Sequence, residues 1–228
     1  MRMALGFIFF LSVSLGAAGS PPAYFADLLE SARTDYVTNH LDSALTKLDQ
    51  HDKAKGPDAE SLDLRGEIAL EQGKLAEAAR AFNEAHELQP ELFSPRLHLG
   101  DLFMREKKYA EAHAVYQKLA TETNVLVASE RVRYGLLLTD LATHDEAAAK
   151  RALDNIKFPT ETPAYYFAQA AWEFAHGKER SARKWIATAQ EIFEPNLISW
   201  FARPLYDLGR LKEKPPPPDA LVVRRGFG

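Results

Sequence analysis

The chain of 228 residues contains no cysteine. That absence excludes disulfide bonds, metal sites built on thiolates, cysteine nucleophiles and a lipid anchor on an acylated cysteine. Information about the cellular compartment must therefore come from another part of the sequence.

The sequence also lacks a strong excess of either charge sign, because its formal net charge is only -4. Proteins that bind nucleic acids normally carry a basic face. We therefore expect no nucleic acid among the partners of this protein.

Long hydrophobic runs are absent, with one exception at the N-terminus. There Arg2 precedes a mostly apolar run over residues 3–15, and small residues follow at 16–19. This order is typical of a secretory signal peptide with cleavage after Ala18, and the run is shorter than the roughly 20 residues that span a bilayer. The sequence thus predicts a signal peptide at residues 1–18 and an exported protein, periplasmic or extracellular. Membrane contact is expected only if the segment stays uncleaved as an anchor.

Catalytic and metal-binding motifs are missing as well. The seven histidines are scattered, with no H-E-x-x-H arrangement, and the pairs Gly73-Lys74 and Gly177-Lys178 lack the rest of a phosphate-binding loop. Ser181 and Lys184 have the S-x-x-K spacing of some serine acyl enzymes, but the partner segments S-D-N and K-T-G are absent. We predict a protein that is not an enzyme and uses no cofactor, metal or small-molecule substrate. A hydrolase built on Ser181 and Lys184 is the least favoured alternative.

A repeated helical hairpin is what the sequence does contain, and residues 59–90 show it best. Apolar residues recur with the period of a helix on both sides of Gly73-Lys74, and Pro90 ends the second helix because proline disfavours helical geometry in the residue before it. This segment predicts two antiparallel helices joined by a tight turn.

Small residues recur along the chain at matched intervals, which indicates that the hairpin is repeated. One series, in the first helix of each hairpin, has spacings of 34, 34, 35 and 35 residues and consists of Ala32, Gly66, Gly100, Gly135 and Ala170. A second series, in the second helix, has the same spacings and consists of Ala44, Ala78, Ala112, Ala147 and Ala182. Small residues allow paired helices to approach closely, so the two series predict five hairpins.

The fourth copy departs from this pattern. In four of the five copies, a bulky residue stands four positions after the alanine of the second series. These residues are Leu48, Phe82, Tyr116 and Ile186. Arg151 occupies that position in the fourth copy. We therefore expect its second helix to be shifted in register, toward Ala148 and Ala152.

The pattern resembles the tetratricopeptide repeat family, most closely over residues 59–92 through Leu62, Gly66, Ala78, Phe82, Ala85 and Pro90. The resemblance implies an all-α, right-handed superhelical solenoid over residues 23–194. Its five hairpins would occupy residues 25–58, 59–92, 93–127, 128–162 and 163–195. Beyond the repeats, the sequence predicts a capping helix at 196–211, covering the exposed end of the array, and a Pro-rich disordered tail at 212–228.

The resemblance also implies a concave groove lined by the first helix of each hairpin. Repeat positions that point into such grooves correspond here to Glu60, Asp63, Glu67, Leu70, Leu97, Asp101, Met104, Val132, Leu136, Phe167 and Phe174. This groove would be acidic toward one end and apolar toward the other, and would bind an extended or helical segment of another protein. The alternative is that several of its apolar residues belong to the core, because helical periodicity does not separate the two faces.

These features together predict a non-catalytic scaffold for protein–protein interactions in the periplasm or cell envelope. A structural subunit of a multiprotein envelope assembly is the alternative, because exposed repeat ends and the C-terminal tail can join neighbouring subunits.

Overall fold

The computed structural model describes residues 23–122 and 126–218, and these form eleven α-helices and no strand. The helices are α1 (Ala23–Val37), α2 (Leu41–Lys55), α3 (Ala59–Glu71), α4 (Leu75–Leu88), α5 (Phe93–Arg105), α6 (Tyr109–Glu122), α7 (Leu126–Ala142), α8 (Glu146–Asn155), α9 (Ala164–Ala175), α10 (Glu179–Ile192) and α11 (Pro195–Asp207). The predicted all-α solenoid is confirmed. The predicted signal peptide, residues 1–18, and the last part of the predicted tail, residues 219–228, lie outside the described residues.

The first ten helices pair as five hairpins whose turns share one geometry. Each turn contains a single residue with positive φ, and these residues are Asn39, Gly73, Lys107, His144 and Gly177. The next residue donates its backbone N–H to the carbonyl five positions earlier, as Lys74 does to Ala69 at 2.9 Å. This bond satisfies a carbonyl that the ending helix leaves free, so the first helix of every hairpin ends in the same kind of turn.

Glycine is required inside the hairpins because aromatic rings occupy the space of a side chain. A Cβ on Gly66 would lie 2.3 Å from a ring carbon of Phe82, and one on Gly100 would lie 2.6 Å from the ring of Tyr116. A Cβ on Gly135 would meet the other edge of the Tyr116 ring at 2.9 Å. The small-residue series therefore marks true close approaches between helices.

The fourth hairpin is shifted by two residues, which corrects the predicted position of its small residue. Ala147 is exposed, whereas Ala149 is fully buried and Leu153, four residues later, supplies the bulk. The cause is helix length: α7 has 17 residues against 13 in α3 and in α5, and its turn lies two residues further from Gly135. The expected shift toward Ala148 and Ala152 had the right direction but was one residue too small.

A helix follows the last hairpin, but α11 spans Pro195–Asp207 where the prediction was 196–211, and it covers a different surface. It packs against α5, α7 and α9, which are the first helices of the third, fourth and fifth hairpins, as well as against α10. It therefore lies along the concave face of the array and does more than cap its end.

Residues 212–218 follow α11 as an irregular segment that packs against the array, which corrects the prediction that the tail is disordered from residue 212. Pro217 is buried, and the carbonyl of Pro215 accepts a hydrogen bond of 2.7 Å from Arg203. The proline-rich composition suggested a disordered tail, and nothing in the sequence indicated its attachment to the array.

Helix lengths and composition also bear on membrane insertion. Across residues 23–122 and 126–218, none of the helices combines the length and the apolar composition that crossing a bilayer requires.

Candidate functional site: the occupied concave face

The predicted groove residues lie on α3, α5, α7 and α9, the first helices of four hairpins, and they are not open to solvent. Eight of the eleven are buried, namely Asp63, Glu67, Leu70, Leu97, Met104, Val132, Phe167 and Phe174, and three are partly buried, namely Glu60, Asp101 and Leu136. Leu97, Met104, Val132, Phe167 and Phe174 belong to the same hydrophobic cluster as α11. As a surface for another protein the groove stays a prediction; in this structure its occupant is the protein's own C-terminal helix.

Two aromatic side chains of α11 anchor it in the groove. The indole of Trp200 stacks on the imidazole of His98, with 6.3 Å between the ring centroids and 14° between the planes. The ring of Phe201 lies 5.8 Å from that of Tyr134 and 6.3 Å from that of Phe167. The groove thus holds a helix through buried aromatic anchors, which is how grooves of this kind hold helical peptides.

Ion pairs join the C-terminal segment to the first helices of the hairpins. The Arg203 guanidinium donates to the Glu71 carboxylate, and both side chains are more than nine-tenths buried. Lys214 Nζ lies 2.8 Å from Glu71 Oε2, and Arg105 Nε donates to Asp207 Oδ2 at 2.9 Å. Because a buried charge is costly without its partner, these pairs fix the position of α11 along the groove.

A buried triad of ionisable groups lies beneath Trp200. His98 Nδ1 is 2.8 Å from Asp63 Oδ1, and His98 Nε2 is 3.6 Å from Glu67 Oε1. Burial lowers the pKa of His98, but the carboxylates of Asp63 and Glu67 outweigh it and raise the pKa to about 9. Burial raises the pKa of Glu67 to about 7, against the opposing effect of the His98 charge. His98 is therefore an imidazolium ion held between two acidic side chains.

The triad also has the ligand types of a metal site, because one ligand atom from each residue lies within 4.8 Å of the others. A protonated imidazole, however, has no lone pair to offer a metal. In the protonated state the site is an ion cluster that ties α3 to α5 below the C-terminal helix.

Residual space beside this cluster is small. A cavity of about 50 Å³ is lined by Glu67, His98, Arg131, Trp200 and Arg203 among others. It is large enough for a few water molecules, each of which needs about 10–15 Å³ by the same kind of measure, and too small for a peptide. The concave face is closed at this depth.

Sequence reasoning missed the residues that close the groove, chiefly Glu71, His98, Arg131 and Arg203. A signal was present, because acidic residues recur along the first helices while the predicted C-terminal helix carries Trp200 and Arg203 on an otherwise apolar surface. Buried charges need partners of opposite sign, so this complementarity could have suggested an internal pairing.

A second groove, which we call the end groove, is open at the C-terminal end of the array. It has a volume of about 660 Å³ and lies between α10, α11 and residues 211–216. Its apolar lining includes Ile186, Phe193, Ile198 and Ala202, and its rim carries Arg183, Gln190 and Lys212. Binding sites in proteins typically have volumes of about 300–1,000 Å³, so the size suits a short segment of another molecule.

Comparisons with known proteins agree with this architecture. Residues 59–92 match the family model described as tetratricopeptide repeat. A tetratricopeptide repeat protein from Parabacteroides merdae has a similar structure, with a TM-score of 0.61 and 17% identity over 90% of this chain and 78% of that one. PilW, a type IV pilus biogenesis factor, is similar with a TM-score of 0.61 and 14% identity over 84% of this chain and 89% of that one. No curated protein sequence matches the chain.

Proposed function

We propose that this chain, which has the fold of a tetratricopeptide repeat array, is a non-catalytic scaffold for protein–protein interactions in the periplasm or cell envelope. The observation that carries the proposal is the open groove of about 660 Å³ at the C-terminal end of the array, whose apolar lining includes Phe193, Ile198 and Ala202. The apolar N-terminal segment with small residues at 16–19 supports export.

The closed concave face limits where a partner binds. Ile198, Trp200, Phe201 and Leu205 of α11 are all buried, and burying each such side chain contributes roughly 1.5–3 kcal/mol. A partner that displaced α11 would have to replace on the order of 6–12 kcal/mol from these four side chains alone. We therefore place the partner surface outside the concave face, at the open groove at the C-terminal end.

Affinity capture from an envelope extract tests the proposal. Two variants of the exported chain are used as bait. In the first, Gln190→Trp places a bulky side chain at the rim of the end groove; in the control, Lys118→Glu changes the exposed face of α6. A scaffold that uses the end groove loses its partner in Gln190→Trp and keeps it in Lys118→Glu. Equal capture by both variants would place the partner elsewhere, and a mature chain that retains residues 1–18 in the cytoplasm would overturn export.

A structural subunit of an envelope assembly is the second candidate, favoured by the similarity to the pilus biogenesis factor. Sedimentation of the purified chain separates the two. Self-association over the working concentration range supports the assembly subunit, whereas a monomer supports the scaffold.

A further inference from the structure

The groove at the C-terminal end has an apolar floor in contact with solvent. Ile186 of α10 and Ile198 and Ala202 of α11 are buried from below, and Phe193, at the end of α10, is only partly covered. Pro215 and Pro216 form the opposite wall. In a solenoid this is the face on which the next repeat would stack, so it suits apolar side chains of a short segment.

The rim of the groove has unbalanced positive charge. Lys212 is exposed and has no carboxylate partner among residues 23–122 and 126–218. Arg183 is half exposed and its nearest carboxylate is that of Glu179, on the same helix, at 3.5 Å. A pair this exposed contributes little, so Arg183 remains available to a ligand. Among residues 23–122 and 126–218, Glu213 is the one acidic side chain that lines the groove.

The N-terminus of α11 adds to this positive field. Pro195, the first residue of that 13-residue helix, lines the groove, and the preceding Glu194 makes no side-chain cap. Uncapped N–H groups and the helix dipole favour negative charge at such a position. Arg183, Lys212 and the helix dipole therefore favour a negatively charged ligand, opposed in part by the exposed carboxylate of Glu194.

Two other occupants fit this charge poorly. The chain's own terminal residues include Leu221–Val223 but continue with Arg224 and Arg225, which the basic rim would repel. A second copy packed face to face would bring the two basic rims together, because a two-fold interface is formed by the same surface on both subunits. Their like charges would repel each other.

We propose that the end groove binds a segment of a partner protein that combines apolar side chains with acidic ones. This inference rests on the proposed scaffold function and names the chemistry of its partner. The apolar side chains lie on Phe193, Ile198 and Ala202, and the carboxylates face Arg183 and Lys212.

The test uses the full chain and two short synthetic amphipathic peptides, one of leucine and glutamate and one of leucine and lysine in the same order. Fluorescence anisotropy is expected to show binding of the glutamate peptide and at least about tenfold weaker binding of the lysine peptide, a difference of about 1.4 kcal/mol. Raised salt should weaken the first interaction because exposed charges are screened.

Three variants locate the site. Arg183→Glu combined with Lys212→Glu should reverse the preference between the two peptides, Gln190→Trp should weaken binding of the glutamate peptide about tenfold or more, and Lys118→Glu should leave it unchanged. Equal affinity for both peptides, a glutamate peptide unaffected by Gln190→Trp, or a dimer that Gln190→Trp dissociates would each overturn the inference. If Gln190→Trp abolishes partner capture while neither peptide binds, the result supports the scaffold function and contradicts the proposal that the partner segment is acidic.

Discussion

The imidazole of His98 lies nearly parallel to the indole of Trp200, although the two residues are about a hundred positions apart in the chain. His98 belongs to the first helix of the third hairpin, and Trp200 belongs to the C-terminal helix. Their contact means that the concave face is filled from within the same chain.

The effect of a substitution at Phe167 on stability shows whether the concave face is covered by α11 or open to solvent. Phe167 is fully buried against Phe201, so Phe167→Glu removes a large side chain and buries a charge. We expect the free energy of unfolding to fall by at least about 3–5 kcal/mol in urea denaturation. The matched control is Phe158→Glu, at a residue 62% exposed, where we expect a change within about 0.5 kcal/mol. An unchanged midpoint for Phe167→Glu would show an open groove.

The close approach at Gly66 predicts a size-dependent loss. A methyl group there would overlap the Phe82 ring, so Gly66→Ala should destabilise the chain by on the order of 1–3 kcal/mol. The double variant Gly66→Ala with Phe82→Leu should recover part of that loss, because leucine leaves room for the methyl group. Additive effects of the two substitutions in thermal melts would argue against the contact.

Substitutions at two alanines that lie two positions apart test the register of the fourth hairpin. Ala149→Arg places a long charged side chain in a fully buried position, whereas Ala147→Arg places it on the surface. We expect Ala149→Arg to lower the melting temperature strongly or prevent folding, and Ala147→Arg to change it little. The reverse order would restore the register expected from spacing alone.

Several features could be predicted from the sequence because they repeat. Gly66, Gly100 and Gly135 appear at matched intervals, and each meets an aromatic ring in the structure. The register of the fourth hairpin was harder to predict, because Ala147, Ala148 and Ala149 are identical and the two extra residues that α7 has after Gly135 leave no mark in composition.

The occupant of the groove could not be predicted in the same way. Repeat positions predicted side chains such as Met104 and Val132 as concave, but spacing carries no information on whether a distant helix covers them, and in the structure they are buried in one cluster with α11. An apolar helix after the last repeat can cover either the exposed end of the array or its concave face, and the sequence pattern is the same in both cases. Long-range contacts such as the pairing of Arg203 with Glu71, which lie 132 residues apart, decide between them.

The buried triad predicts a specific dependence of stability on pH. The pKa of His98 is about 9 in the folded chain against about 6.5 when unfolded. The folded state therefore binds this proton more tightly, and the stabilisation is complete below about pH 6.5 and lost as the pH rises toward 9. Burial raises the pKa of Glu67 to about 7, so its ionisation also reduces stability, between about pH 4.5 and 7.

Comparison of the native chain with His98→Gln isolates the histidine contribution. The difference in free energy of unfolding between the two should shrink as the pH rises from about 6.5 to 9. Parallel stability profiles over this range would show that His98 is not held as an imidazolium between Asp63 and Glu67.

The most direct test of the occupied groove is a nuclear Overhauser measurement on the full chain in solution. Cross-peaks between the ring protons of Trp200 and His98, together with cross-peaks between Phe201 and Phe167, are the expected result, because each pair of ring centroids is 6.3 Å apart. Their absence, with the Trp200 indole N–H exchanging freely with solvent, would show that the C-terminal helix lies outside the groove and would contradict the account.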